Sequence, residues 1–352
     1  MHRYDYSFLE NGTIPASLLN ITMDIYSLRS ASQSRKDKFI QVFSELEAVA
    51  KVASVKSSNA IEGIVTSDER IREIVNGNSS PLNHDEQEIA GYRDALAAVH
   101  LTYDHLDLDE DDIKRLHSTM LRLAGYQYAG IYKNIDNNII EESADGRRRI
   151  RFRPVSASET PDAVEQLVLA YQVARDDPNI NQLLLIPCVI LDFLCIHPFR
   201  DGNGRISRLL TLLLLYKNGF DVGKYISFEE QINIRKGNYY DALYQSSQGW
   251  HDNQNDYSAF IMEFLITLYM CYKELDKRFA VIGDKKINKQ TRVEAAVLNS
   301  LVPISKSEIL KILPDVSQKT AELVLSNMVR EGIIEKVGTG RNTKYIRMHT
   351  KK

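Results

Sequence analysis

A polar stretch set between two apolar segments constrains this chain more than any other feature of its sequence. The stretch, HPFRDGNGRISR, runs from His197 to Arg208. Residues 183–196 precede it, and residues 206–217 continue from it with helical spacing up to an Asn-Gly stop. Loops joined to rigid helices commonly carry chemistry, so we expect a helical fold that holds this loop between two buried helices.

The glycines and arginines of the loop are suited to an anion. Gly202 and Gly204 flank Asn203, which permits positive φ angles and lets consecutive N–H groups point into one concavity. A helix expected to begin near Arg205 would add its N-terminus, which favours phosphate. Arg205 and Arg208 lie three residues apart and can both reach that point, which indicates a polyphosphate.

Two further side chains in the loop suggest catalysis. Asp201 would be repelled by a bound anion unless Mg²⁺ stood between them. His197 titrates near neutrality and can accept a proton from an attacking hydroxyl. Each feature alone is more often structural, but together they predict binding of a magnesium nucleotide and nucleotidyl or phosphoryl transfer.

The rest of the chain has mainly helical spacing of apolar residues. Helical signals cover residues 39–50, 86–106, 110–123 and 161–176. Between Tyr128 and Pro154, two strand-like segments flank a turn at residues 143–146, which predicts a β-hairpin inserted in an α-domain.

The loop matches every specified position of H-x-F-x-[DE]-G-N-G-R-x-x-R, so the chain resembles the Fic family. A weaker similarity covers Leu116-His117, the hairpin from Gly130 and the segment ILDFLCIHPF. The competing Walker pattern is absent. The resemblance implies an all-α, Fic-type helical bundle with a small β-hairpin flap, with the Fic domain at residues 88–284.

The resemblance also implies an activity: transfer of AMP from Mg-ATP to a Ser, Thr or Tyr hydroxyl of a target protein. His197 resembles the general base, Asp201 the Mg²⁺ ligand and Phe199 the buried loop anchor. The flap, residues 135–140, would align a target segment by strand addition. The remaining implied roles belong to nucleotide binding: the anion hole at Gly202, Asn203 and Gly204, the phosphate contacts of Arg205 and Arg208, and the base pocket at Tyr239 and Tyr240.

An upstream segment, within residues 1–87, is similar to the inhibitory helices of Fic proteins. Ser58, Glu62 and Gly63 have S-x-x-x-E-G spacing, with Gly63 expected to end the helix. By the resemblance, Glu62 pairs with Arg208 and deprives the γ-phosphate of its partner, which leaves ATP misaligned. A second role for Glu62, orienting water for AMP removal, stays open.

The carboxyl-terminal part differs in charge. Residues 285–352 carry 14 Lys+Arg against 6 Asp+Glu, or +8, whereas the remainder, 30 against 41, is −11. Helical segments at 291–301, 306–313 and 318–331 precede a hairpin with a basic, glycine-rich tip, the order of a winged helix. DNA contacts would fall on Lys319, Arg341 and Lys344, although Glu322 and Glu331 share the helix of Lys319. The alternative is a module that packs against the body or mediates a homodimer.

Other classes are disfavoured. Cys188, Cys195 and Cys271 lie in apolar contexts without zinc spacing, as expected of reduced core cysteines. No secretory signal is recognisable, and the apolar stretch 183–196 is shorter than the roughly 20 residues of a membrane span. We therefore expect a cytoplasmic protein.

Three alternatives to AMP transfer remain. The transferred group could be UMP, phosphocholine or phosphate. The site could instead remove AMP, or the protein could be a DNA-binding regulator that senses nucleotide. With eighteen tyrosines the chain is also a candidate for self-modification.

Overall fold

The computed structural model describes residues 2–36, 39–142, 148–283, 289–298, 300, 303–313, 316–340 and 343–348. Most of them are helical. The helices are α1 (Phe8–Asn11), α2 (Ala16–Lys36), α3 (Ile40–Ile61), α4 (Asp68–Val75), α5 (His84–Thr102), α6 (Glu110–Leu121), α7 (Thr160–Arg175), α8 (Gln182–Ile196), α9 (Asn203–Lys217), α10 (Phe228–Ile234), α11 (Lys236–Ser247), α12 (Ser258–Gly283), α13 (Lys289–Leu298), α14 (Lys306–Ile312) and α15 (Gln318–Arg330). The strands are β1 (Ile139–Glu142), β2 (Arg148–Phe152), β3 (Ile304–Ser305), β4 (Ile334–Val337) and β5 (Lys344–Arg347).

The larger of two units contains α1 to α12 around one apolar core. At its centre, helices α8 and α9 pack against each other, and the polar loop joins them. Nearly every side chain of both helices is buried, which confirms the expected buried helix at 183–196. Around this pair, α7 packs on α8, α5 packs on α6 and α9, and α11 packs on α12. The described elements confirm the predicted mainly helical fold with a small hairpin.

Helix α9 begins at Asn203, earlier than the start near Arg205 that the sequence suggests. Gly202 adopts φ +79° and its carbonyl oxygen accepts the first helical hydrogen bond, from the N–H group of Ile206 at 2.9 Å. Of the two loop glycines, only Gly202 has a positive φ. Gly204 lies in the first helical turn, so its lack of a side chain serves a different purpose.

The amino-terminal helices share the core of the larger unit. Tyr6, Leu18, Ile25, Phe43 and Ile61 are buried in the same apolar cluster as α8 and α9. Helix α2 packs along α12, and α3 packs against α10 and α5. The predicted segment 1–87 is therefore physically continuous with the domain that follows it.

The predicted hairpin is present as β1 and β2, an antiparallel pair with Ile140 opposite Ile150. Its predicted turn at 143–146 lies outside the described residues. The chain leading into the hairpin is tied to the polar loop by an isolated antiparallel bridge between Tyr132 and Phe199. The segment that leads into the flap is therefore held against the loop.

The carboxyl-terminal unit has a separate core, which includes Val293, Ile309, Val324 and Ile334. Its three helices accompany a three-stranded antiparallel sheet in the order β3-β5-β4. The helices and the hairpin that the sequence predicts are present, and the assignment as a winged helix stays a prediction. The predicted boundary at 284/285 lies outside the described residues, as does Arg341.

Cys188, Cys195 and Cys271 are free and buried, as expected. Among the helices that the structure describes, none combines the length and apolar character needed to cross a membrane.

Candidate active site

His197 ends helix α8 in the left-handed conformation, with φ 53° and ψ 59°. Its Nδ1 atom lies 3.3 Å from the carbonyl oxygen of Leu194, which can only accept, so Nδ1 carries the proton. Burial, and then the charge of Lys133, lower the pKa of His197 to about 4, while Glu62 and Asp201 act in the opposite direction. At neutral pH the imidazole is therefore uncharged and its Nε2 atom carries a lone pair, as a general base requires.

Phe199 and Asn203 lock the loop internally. The N–H group of Phe199 donates to Asn203 Oδ1 at 2.9 Å, and Asn203 Nδ2 donates to the Phe199 carbonyl at 2.8 Å. Both residues are buried. The anchor role predicted for Phe199 matches this geometry. The Asn203 side chain is engaged with the loop backbone, so only its N–H group at the start of α9 is placed to serve the predicted anion hole.

The Asp201 carboxylate stands at the mouth of the loop, with 55% of its side chain exposed. Its Oδ1 atom accepts the Gly202 N–H group at 2.6 Å, and its Oδ2 atom lies 3.8 Å from Arg205. Within the described residues no three His, Cys, Asp or Glu side chains gather as a protein-only metal site would need. A single exposed carboxylate suits Mg²⁺, which is commonly held by one or two carboxylates together with substrate phosphates.

His117 joins the loop to the start of the flap. It lies beneath the loop, with its ring stacked on Phe199 at a centroid distance of 3.7 Å. Its Nδ1 accepts the Gly130 N–H group at 2.8 Å, so its Nε2 carries the proton and donates to the Asp201 carbonyl at 3.0 Å. The neutral imidazole of His117 therefore holds the Gly130 segment, which leads to the flap, against the loop at Asp201.

The Glu62–Arg208 contact predicted from the sequence is present. Glu62 Oε1 accepts from Arg208 at 2.7 Å, and Ser58 holds the same guanidinium group through its hydroxyl and its carbonyl, each at 2.9 Å. Helix α3 ends just before Glu62, and Gly63 follows with φ +82°. Burial opposes ionisation of Glu62, but Arg208 outweighs it and lowers the pKa of the carboxyl group. Ser58 and Glu62 therefore take up hydrogen-bond donors of the Arg208 guanidinium group.

Arg205 is directed to a different partner. It is 1% exposed, and its guanidinium group donates to Glu88 of helix α5 at 2.5 Å. Its Nε atom has no hydrogen-bond partner among the described residues. The phosphate contact of Arg205 stays a prediction. In this structure the guanidinium group is held by its ion pair with Glu88.

Tyr239 and Tyr240 lie on helix α11. Tyr239 is buried and packs edge-on against Phe260, with ring centroids 5.4 Å apart. Burial, and then the charge of Glu62, raise the pKa of Tyr240. Arg151 of the flap donates to the Tyr240 carbonyl at 2.6 Å. The charges of Glu62 and Arg208 act on both tyrosines, and the role of these tyrosines as a base pocket stays a prediction.

Sequence reasoning missed several residues that build this site. Glu88 and Lys133 look like ordinary surface charges of an amphipathic helix and of a hairpin strand, and only the fold shows that both are buried. Lys236 donates to the Ile61 carbonyl at 2.8 Å, directly before Glu62. The His117 position was visible only as part of the weak family similarity.

In the carboxyl-terminal unit, Lys306 donates to Glu322 of α15 at 2.5 Å. This pair neutralises part of the surface on which DNA contacts were expected. Lys319 and Lys344 lie on α15 and β5, and their role stays a prediction.

Fold and site together define a mainly helical protein that presents a basic helix N-terminus beside a neutral histidine, with a hairpin flap alongside. Residues 107–215 match the Fic/DOC family, and the chain contains a Fic/DOC family domain there. A Fido domain-containing protein of Dictyostelium discoideum is 30% identical over 93 residues, which cover 25% of this chain and 65% of that protein's length.

Solved structures of Fic proteins share the helical fold, which confirms the predicted Fic-type helical bundle. A Fic family protein from Desulfovibrio desulfuricans G20 superimposes with a TM-score of 0.63 at 20% identity, over 97% of this chain and 98% of that one. A Fic domain containing signaling protein from Bacteroides thetaiotaomicron gives 0.56 at 22% identity, over 74% and 96%.

Proposed function

We propose that this protein transfers AMP from Mg-ATP to a hydroxyl group of a target protein, and that Glu62 restrains the reaction. The observation that carries the proposal is the complete loop: His197 uncharged with Nε2 available, Asp201 exposed, and the N-terminus of α9 directly after them in sequence. Fic-type domains are typically transferases, which supports the class of reaction.

The transfer follows from these positions. His197 Nε2 takes the proton of the target hydroxyl while that oxygen attacks the α-phosphorus. The new bond joins the hydroxyl oxygen to phosphorus, and the bond from phosphorus to the bridging oxygen breaks, releasing pyrophosphate. Asp201 would hold Mg²⁺, which when bound neutralises phosphate charge. Arg208, once released from Glu62, would bind the terminal phosphate bidentately.

Restraint by Glu62 is a competition for one guanidinium group. While Glu62 and Ser58 hold Arg208, a bound nucleotide lacks that partner and its α-phosphate is not fixed for in-line attack. AMP removal by the same site, and transfer of another phosphate-containing group, remain alternatives. DNA or dimer contacts of residues 285–352 are separate proposals that the reaction does not need.

The test is incorporation of label from α-phosphate-labelled Mg-ATP, followed with intact mass. Wild type, Glu62→Gly and His197→Ala are compared, with Glu69→Gly as the control for loss of an exposed glutamate. We expect strong labelling of Glu62→Gly, little of wild type and Glu69→Gly, and none of His197→Ala.

Equal labelling of wild type and Glu62→Gly would show that Glu62 does not restrain the reaction. No labelling of any variant despite nucleotide binding would favour another donor, AMP removal or a nucleotide-sensing regulator. In that last case, specific and salt-sensitive DNA binding should persist in His197→Ala.

A further inference from the structure

The backbone of His197 is held in a conformation that a non-glycine residue rarely adopts. Its φ of 53° lies in the left-handed region, where a side chain meets steric resistance, and such a residue persists only when its surroundings over-determine it. The carbonyl group of the preceding residue, Ile196, closes helix α8 at the negative end of the helix dipole. What holds this junction decides where the imidazole points.

The segment entering the flap supplies that support. The N–H group of Lys133 donates to the Pro198 carbonyl at 2.8 Å, and Asn137 Nδ2 donates to the Phe199 carbonyl at 3.2 Å. Between these two bonds the Lys133 side chain turns inward. Its Nζ atom donates to the Ile196 carbonyl at 3.0 Å and to Asn137 Oδ1 at 3.1 Å.

Lys133 is only 5% exposed, so its ammonium group gives up most of its contact with water. Burial lowers its pKa to about 8, with Asp136 acting in the opposite direction, and the group keeps its charge at neutral pH. Burial of a cation opposes folding unless paired groups compensate. Here the acceptors are the carbonyl before His197 and the amide of the flap.

We propose that Lys133 is a positioning residue for His197: its ammonium group fixes the Ile196 carbonyl and so the imidazole, and joins this junction to the flap. Its positive charge also favours the uncharged imidazole over the imidazolium. The charged groups that act on His197 are Lys133 from the flap segment, Glu62 from the end of α3 and Asp201 from the loop. The charge of Lys133 lowers the pKa of His197, whereas the two carboxylates raise it.

The catalytic side of this inference rests on the proposed transfer, so the experiment has one arm that needs no activity. Histidine-labelled full-length protein is titrated by NMR, with the His197 signal assigned from His197→Gln. Lys133→Met removes both charge and donors, Lys133→Gln keeps a donor without the charge, and Lys133→Arg keeps both. Asn137→Ala is the control for charge, because it removes the other partner of Lys133 and one bond to the loop but leaves the ammonium group in place.

We expect the pKa of His197, about 4 in the wild type, to move upward in Lys133→Met and Lys133→Gln and to stay in Lys133→Arg and Asn137→Ala. In the Glu62→Gly background, labelling should fall on the order of 10²-fold in Lys133→Met, as for a misplaced base, and recover in Lys133→Arg.

An unchanged His197 titration in both Lys133→Met and Lys133→Gln overturns the inference, whether or not AMP transfer occurs. If Lys133→Met does not fold, Lys133→Gln decides, because it retains a donor for the Ile196 carbonyl. Absence of labelling in every variant, with the expected NMR shifts, would leave Lys133 positioning His197 and refute only the proposed reaction.

Discussion

A methyl group on Gly204 would lie 2.4 Å from Glu62 Oε1, so the carboxylate of Glu62 rests directly against the first turn of α9. The same methyl group would lie 3.4 Å from Arg208. Gly204 is therefore needed for close approach rather than for a positive φ. Its missing side chain leaves the space that Glu62 fills.

This relationship predicts a coupling between the two positions. Gly204→Ala should push Glu62 away from Arg208 and destabilise the wild type, with much less effect in the Glu62→Gly background. Contacting residues typically show interaction energies of about 0.5–3 kcal/mol. A double-mutant cycle of urea unfolding measures the coupling; additive effects would show that the two residues do not interact.

The second prediction concerns the pH dependence of the restraint. The pKa of Glu62 is lowered, so the stabilisation from its pairing with Arg208 is present above the unfolded carboxyl pKa and is lost only as pH falls through the lower folded value. The labelling ratio of Glu62→Gly to wild type should therefore be constant between about pH 6 and 8. A ratio that changes across this range would mean that another group controls the restraint.

The third prediction concerns the base. In the free protein His197 has a pKa of about 4 and is uncharged near neutrality. Bound phosphates would favour its protonated form and raise that pKa. In Glu62→Gly the acid limb of kcat for transfer should therefore lie at a higher pH than the NMR titration of His197 in the free protein. Coincident values would argue against a nucleotide close to His197.

The fourth prediction concerns the buried pair of Arg205 and Glu88. Glu88→Gln leaves a buried cation without its carboxylate and should lower the free energy of unfolding by about 3 kcal/mol, as when other buried pairs are broken. Tyr126 donates to the same carboxylate at 3.0 Å, and Tyr126→Phe should lose only about 1 kcal/mol. Urea unfolding measures both, with Glu165→Gln as the exposed control. A Glu88→Gln value as small as the control would show that the pair contributes no net stability.

The sequence by itself determined the helical class, the two buried helices around the loop, the hairpin and the helix end at Gly63, because each depends on local periodicity or on a residue with a strong backbone preference. It also contained the 58–63 segment and, through family similarity, its partner Arg208. These features are local in sequence or fixed by a motif, so they survive without knowledge of the tertiary contacts.

Tertiary structure alone decided which of the loop's groups are available. Arg205 is committed to Glu88, which lies 117 residues away in sequence, and Asn203 is committed to the loop backbone. Lys133 reaches the carbonyl before His197 only because the flap segment runs antiparallel to the loop. Hydrogen bonds between distant segments depend on how helices pack and on which polar atoms lose water. No pattern of neighbouring residues records that outcome.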